Sequence, residues 1–221
     1  MGIKERRERE KQATRQRILD AARELYVQEG YEAMTMRRVA EKIEYSATAI
    51  YVHFKDKAAL IQELCAHDFL RFAEVLNKVA KVKDPVERLR KMGRAYVDFA
   101  QEYPTTYRLL FMERRPAEVG ATSAEGPEQG NPEQDAYAFL RHAVQEAKDA
   151  DCFKPEHQDV DMVSQTLWGG LHGLVALHLV MGPEDKWIDM RPLMRTAVLM
   201  TDLLLEGLCK PSRSGGATRA R

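Results

Sequence analysis

At 221 residues, with 44% hydrophobic and 31% charged side chains, the chain has an ordinary soluble globular composition, long enough for one large domain or two modest ones. Its 34 basic and 34 acidic residues cancel, so net charge says nothing about a nucleic-acid partner. Three cysteines far apart, Cys65, Cys152 and Cys209, exclude a disulfide framework and a zinc spacing, and point to a reducing, cytoplasmic setting.

Residues 1–17 are charged throughout, which excludes a secretory signal. In this arm Lys4, Arg6, Arg7, Arg9, Lys11, Arg15 and Arg17 outnumber three glutamates. Such an arm is either a solvated helix end or, beside a DNA reader, an element that follows phosphates or enters the minor groove. Ile18, Ala21, Ala22, Leu25 and Tyr26 then form an apolar stripe at helical spacing, and Gly30 marks the end of that helix.

Thr35 is placed to cap a second helix with Met36, Val39, Ala40 and Ile43 inward and Arg37, Arg38, Glu41 and Lys42 outward. Glu44 and Tyr45 make a turn, and Ser46 is placed to cap a third helix running through Ile50, with Ala47, Thr48 and Tyr51 outward. A methyl, a hydroxyl and a phenol suit a major-groove edge or a phosphate. A capped pair of this length also occurs as a plain hairpin in helical bundles. The flanks favour the reader, because the ordered set Ile18, Ala21, Ala22, Gly30, Thr35, Ala40, Ser46, Tyr51, Phe54, Lys57 and Leu60 resembles the N-terminal domain of TetR/AcrR-type transcriptional regulators.

Asp56 is placed to cap a long helix carrying Leu60, Ile61, Leu64, Phe69, Phe72, Leu76 and Val79. Asp84-Pro85 opens the next, Tyr103-Pro104 stops it and starts a short one, and residues 115–132 read as an aperiodic loop. Asn131-Pro132 repeats the cap-and-proline signal before a helix that fades near Asp149. Asp159 to Met181 and Pro192 to Cys209 are apolar nearly all round. Residues 162–182 contain no charge, yet Ser164, Gln165, Thr166, His172 and His178 and the lack of flanking basic clusters argue against a membrane span. Helices without a polar face need cover on every side. The simplest cover is a second copy, in a two-fold four-helix bundle, with Leu171, Leu174, Val175, Ala197, Met200, Leu204 and Leu208 as candidate dimer-interface residues. Ser, Gly and Arg enrichment predicts a disordered tail over residues 210–221.

Trp168 and His172 share a helical face within Trp-Gly-Gly-Leu-His-Gly, whose glycines at 169, 170 and 173 weaken the helix by about 1 kcal/mol each. Close approach by a neighbouring helix or a bound molecule would compensate. The run resembles the C-terminal signature of one TetR/AcrR subgroup. These two residues are either packed core or, with Tyr96, Phe99, Tyr103, Tyr107, Phe111 and Phe139, the lining of an effector pocket. Residue spacing supplies neither a metal site nor a nucleophile with a positioned base, so no enzyme activity, metal or cofactor is expected.

The chain therefore reads as all-α, about nine helices. The expected divisions are an arm and helix-turn-helix domain over 1–56, an effector-binding and dimerisation domain over 57–209, and the tail. The resemblance implies a homodimeric repressor on double-stranded DNA with a pseudo-palindromic operator, released by a small apolar or aromatic effector. It also implies that Thr35, Tyr51 and Lys57 hold phosphates, joined by Arg37 and Arg38, while Ala47 and Thr48 meet bases. Ser46 and His53 complete the DNA-facing set. Glu44, Tyr45 and Thr48 depart from the family pattern, which has glycine and a small aliphatic residue in the turn and glycine in the recognition helix. Those departures leave open an activator or protein-interaction dimer of the same fold with weak DNA binding, and a helical carrier or enzyme.

Overall fold

The computed structural model describes residues 2–114, 127–182 and 184–211. Most of the expected loop and of the expected disordered tail lies outside the described residues. Among the described residues the chain forms nine α-helices: α1 (Ile3–Ala33), α2 (Met36–Lys42), α3 (Ala47–Tyr51), α4 (Lys57–Asn77), α5 (Pro85–Glu102), α6 (Pro104–Phe111), α7 (Ala136–Asp149), α8 (Val160–Val180) and α9 (Leu193–Leu208). Outside the helices, Phe153 and Cys209 form an isolated antiparallel bridge. None of these helices is long and apolar enough to cross a membrane.

The chain divides into two compact units, residues 1–74 with 99–135, and residues 75–98 with 136–221. In the first, α1 begins at Ile3, so the basic arm is helical, and the helix breaks where Gly30 takes φ 81°. Ile18, Ala22, Leu25 and Tyr26 of α1 are buried with Val39 and Ala40 of α2, Ile50 of α3, Phe54, Leu60 and Leu64 of α4 and its lead-in, and Leu109 of α6. A buried ion pair ties α1 to α4: the Arg23 guanidinium donates from Nε to Asp68 Oδ2 (2.8 Å) and from Nη2 to Asp68 Oδ1 (2.7 Å). The Asp68 side chain is fully buried, and its bonds hold the Arg23 pKa above the ordinary arginine value against the opposing effect of burial.

In the second unit α8 packs against α7 and α9. Gly93 of α5 lets that helix approach both α8 and α9, since a Cβ there would stand 3.1 Å from both Leu171 Cδ1 and Thr201 Oγ1. Gly170 similarly admits Leu204, whose Cδ1 would be 3.2 Å from an added Cβ. One boundary differs from the sequence expectation. Asn131-Pro132 does not open α7, because Asn131 Oδ1 accepts from Glu133 N (3.0 Å) and its carbonyl from Asp135 N (2.7 Å), so the signal forms a turn and the helix starts at Ala136.

Candidate nucleic-acid interface

The two short helices of the expected reader, α2 and α3, are capped by the hydroxyls that open them. Thr35 Oγ1 accepts from Arg38 N and Ser46 Oγ accepts from Ala49 N, both at 3.2 Å. Each cap is worth about 1 kcal/mol, and each hydroxyl retains its proton for donation outward. Between the helices the chain makes a Schellman turn: Tyr45 N donates to Ala40 O (2.9 Å) and Glu44 N to Glu41 O (3.2 Å). The residue that must turn left-handed is Glu44, with φ 61°. Arg17 clamps this turn, donating to Ile43 O (3.2 Å) with its guanidinium 5.2 Å from the Tyr45 ring centroid.

The exposed surface of α3 carries Thr48 and Tyr51, while Ala47 is half-buried against the core. Tyr51 is 54% exposed and the adjacent Val52 75%. Val52 was not singled out from sequence. Its signal is a branched apolar residue just past the third helix, next to the outward Tyr51, and its methyls suit a thymine methyl.

The cations predicted to hold phosphates divide into two kinds. Arg37 is 83% exposed and pairs with Glu41 one turn on (2.8 Å), an arrangement that constrains it little. Arg38 instead clasps Glu29, with Nη2 donating at 2.7 Å, and donates to Ala33 O (3.1 Å), while its bond keeps the Glu29 carboxyl below its ordinary pKa. Lys57 Nζ donates to Tyr31 O (2.8 Å) and sits 3.8 Å from the Tyr31 ring centroid. Both fasten α2 or α4 to the end of α1. His53 is half-buried, and its Nδ1 is buried with no hydrogen-bond partner. Burial first, then the charges of Arg15 and Lys11, push its pKa down, so the ring is neutral near pH 7.

The candidate effector residues fall into two groups. In the first unit Phe99, Tyr103, Tyr107 and Phe111 join Phe69 and Phe72 in one aromatic cluster, with centroid separations such as 4.8 Å for Phe72–Phe99 and 5.0 Å for Tyr107–Phe111. In the second, Trp168 Nε1 donates to Tyr96 Oη (3.1 Å) and Tyr96 Oη meets His172 Nδ1 (3.3 Å). Tyr137 stacks obliquely on Trp168 (5.9 Å), and Phe139 is buried. Burial alone lowers the His172 pKa, leaving a neutral imidazole whose ring nitrogens can donate and accept. A separate recess of about 240 Å³ at the end of α8, between His178 and Met190, contains none of these residues.

Of the candidate dimer residues, Leu171, Val175, Ala197 and Leu208 are buried within the chain, and Leu174, Met200 and Leu204 are half-buried. The exposed face of α8 is formed by Met162, Thr166, Gly169, Gly173, Leu177 and Val180, one line at helical spacing. A Cβ at Gly169 or Gly173 would meet nothing within 4 Å. On α9 the exposed apolar residues are Leu199 and Leu203.

Two family models match this sequence: "Bacterial regulatory proteins, tetR family" over residues 18–64 and "Tetracyclin repressor-like, C-terminal domain" over residues 89–197. The chain belongs to the tetR family. The HTH-type transcriptional repressor AcnR of Corynebacterium diphtheriae is 44% identical to this regulator over 62 residues, 28% of this chain and 33% of that protein. The HTH-type transcriptional regulator UidR of Escherichia coli is 33% identical over 93 residues, 42% of each chain. The regulator thus spans about a third to two-fifths of the length of these curated relatives. Among solved structures, a TetR family regulator from Marinobacter aquaeolei superposes with TM-score 0.71 at 17% identity, over 93% of this chain and all of that one. SmeT, the repressor of the Stenotrophomonas maltophilia multidrug efflux pump SmeDEF, superposes with TM-score 0.67 at 22% identity, over 96% and 98%. The fold is therefore that of TetR-type regulators, and the named relatives act in transcription rather than as enzymes.

Proposed function

We propose that this regulator is a transcriptional repressor that binds a pseudo-palindromic operator as a homodimer and is released by a small apolar or aromatic effector. The observation that carries the reading is the pair of capped helices α2 and α3, which leaves Thr48, Tyr51 and Val52 exposed beside the Thr35 and Ser46 hydroxyls. Thr35, Tyr51 and Arg37 hold phosphates, with Arg38, Lys57 and His53 reaching them from positions already braced by their own chain. Ser46, Ala47 and Thr48 face bases. Residues 1–56 act as the reader and 57–209 as the effector and dimer body, working in the cytoplasm.

The Gly169–Gly173 stripe of α8, flanked by Leu177 and Val180, meets a second copy together with Leu199 and Leu203 of α9, because small residues let helices approach closely. The hydrogen-bonded Tyr96, Trp168 and His172 recognise the effector on this reading, and the Trp-Gly-Gly-Leu-His-Gly run supports assignment to the subgroup that carries Trp-x-x-Leu-His-Gly. Release requires that the effector bind the DNA-incompetent dimer more tightly than the competent one.

Selection of genomic DNA by purified protein at stated salt tests the reading. A palindrome enriched by the wild type and lost with Tyr51→Ala is the expected outcome. Flat, salt-sensitive binding overturns it and favours the second reading, a protein-interaction dimer of the same fold. The observation on that side is that Arg38 and Lys57 are already engaged by Glu29 and Tyr31.

A further inference from the structure

The line of α1 that packs into the reader core continues past the reader as a line of cations. Ile18, Ala22 and Leu25 are buried at i, i+4 and i+7. Stepping back from Ile18 by three and four residues gives Arg15, Lys11, Arg7 and Lys4 on the same face. Lys4, Arg7 and Lys11 are exposed, and among the described residues none of them pairs with a carboxylate. The glutamates of the segment are used elsewhere: Glu5 accepts from Gly2 N (3.0 Å), Glu8 from Gln12 (3.4 Å), and Glu10 pairs with Arg6 (3.3 Å).

Arg15 fixes where this face points. It donates from Nε to Glu63 (2.6 Å) and from Nη1 to His53 O (2.8 Å), and its guanidinium lies 4.4 Å from the Phe54 ring centroid. The cationic line is thus locked to the residues that follow α3, two positions after Tyr51. Lys11 is near enough to His53 for its charge to help lower the pKa of that ring. At about 1.5 Å per residue, α1 runs about 16 Å from Ile3 to Thr14 ahead of the clamp at Arg15, or roughly half a turn of duplex.

We propose that Lys4, Arg7 and Lys11 form a second DNA-contacting surface that lies along the phosphates flanking the sequence read by α3. This rests on the operator reading above. Its ligand is the duplex backbone, so the stripe adds affinity and salt dependence while leaving base preference to α3. Continuity with the exposed end of α3 favours DNA over an anionic membrane as the partner.

The test compares two charge-matched variants of the full chain, R7Q/K11Q on the stripe and R6Q/R9Q on the opposite face. Glutamine preserves helix propensity in both. Binding is measured on the selected operator carrying ten flanking base pairs on each side, as a function of salt, with hydroxyl-radical footprints. Each lost phosphate contact lowers the slope of log K against log salt by about 0.9. The stripe variant is expected to lower the slope by about 2 to 4 per dimer, weaken binding by about tenfold or more near 0.15 M salt, and lose flanking protection. R6Q/R9Q should leave the flanking footprint intact. Equal effects of the two variants overturn the inference, as does loss of anionic-vesicle binding in R7Q/K11Q with operator binding unchanged. If the wild type selects no palindrome, the operator reading falls first and takes the stripe with it; if the palindrome stands and the stripe is neutral, the stripe alone falls.

Discussion

Replacing Glu44 by glycine should stabilise the reader even though it deletes a whole side chain. Glu44 is the left-handed residue of the Schellman turn between α2 and α3, at φ 61°. An L-residue there costs about 1–2 kcal/mol relative to right-handed backbone. Glycine removes that cost but returns about 0.4–1 kcal/mol through the greater freedom of the unfolded chain. The expected net gain for Glu44→Gly is about 0.5–1 kcal/mol, or about 1–4 °C in a chain of this size. Glu44→Gln separates the two properties of the residue, since it keeps the backbone penalty and loses the charge. Thermal unfolding of the full chain, with hydrogen exchange at the α2 and α3 amides to localise the effect, should show Glu44→Gly above wild type and Glu44→Gln level with it. Both variants remove a carboxylate from the turn before α3, so both should bind random duplex more tightly at low salt, with the gain fading as salt rises. Equal melting of the Gly and Gln variants refutes the backbone account. A Gln variant with wild-type affinity for random duplex refutes the electrostatic one.

Asp68→Asn should destabilise the first unit by about 3 kcal/mol, because it leaves the nearly buried Arg23 guanidinium with Asp20, at the half-exposed edge of the site, as its remaining carboxylate. The double replacement Arg23→Met with Asp68→Leu should recover most of that loss in urea unfolding, and equal losses would show that the charge pairing is irrelevant. His67 has its pKa raised above the ordinary 6.5, first by its bond to Asp68. Its contribution to stability is therefore complete below the unfolded value and disappears as pH rises through the folded one; His67→Gln should flatten that part of the stability profile, and an unchanged profile would discard the linkage. Leu177 and Leu203 are 54% and 57% exposed, so Leu177→Glu with Leu203→Glu should leave the fold intact by circular dichroism and convert the protein to monomers by sedimentation; a persistent dimer would place the interface elsewhere.

The helices were legible in the sequence wherever one face differs from the other. Ile18, Ala22 and Leu25 against the arginines and glutamates of α1 mark a period that survives folding, and the Thr35 and Ser46 caps act on amides three residues away, so local chemistry decides them. In α8 and α9 the contrast fails. Both are apolar on nearly every side, and the sequence could not say that Leu171 and Val175 turn inward while Leu177 and Val180 face out. Arg38 and Lys57 were legible as cations near a DNA reader, but their partners were not. Glu29 lies nine residues from Arg38 and the Tyr31 carbonyl 26 from Lys57, and the break of α1 at Gly30 places both acceptors.

That allocation of charge bears on how a reader of nearly balanced composition would hold DNA. Arg15, Arg17, Arg23, Arg38, Lys42 and Lys57 are all engaged by carboxylates or carbonyls of their own chain. A guanidinium that moves from a carboxylate to a phosphate exchanges one anion for another, so the net electrostatic gain is smaller than its formal charge suggests. Residues 1–60 carry 13 basic groups, but those held internally act first as braces that fix α2 and α3 relative to α1. On the proposed reading, what adds to those braced cations at the duplex is the exposed Arg37 and Lys55, the hydroxyls of Thr35 and Tyr51, and the stripe Lys4, Arg7 and Lys11 of α1. On that same reading the braced cations supply orientation and the arm long-range attraction, so that discrimination rests on a third helix of only five residues.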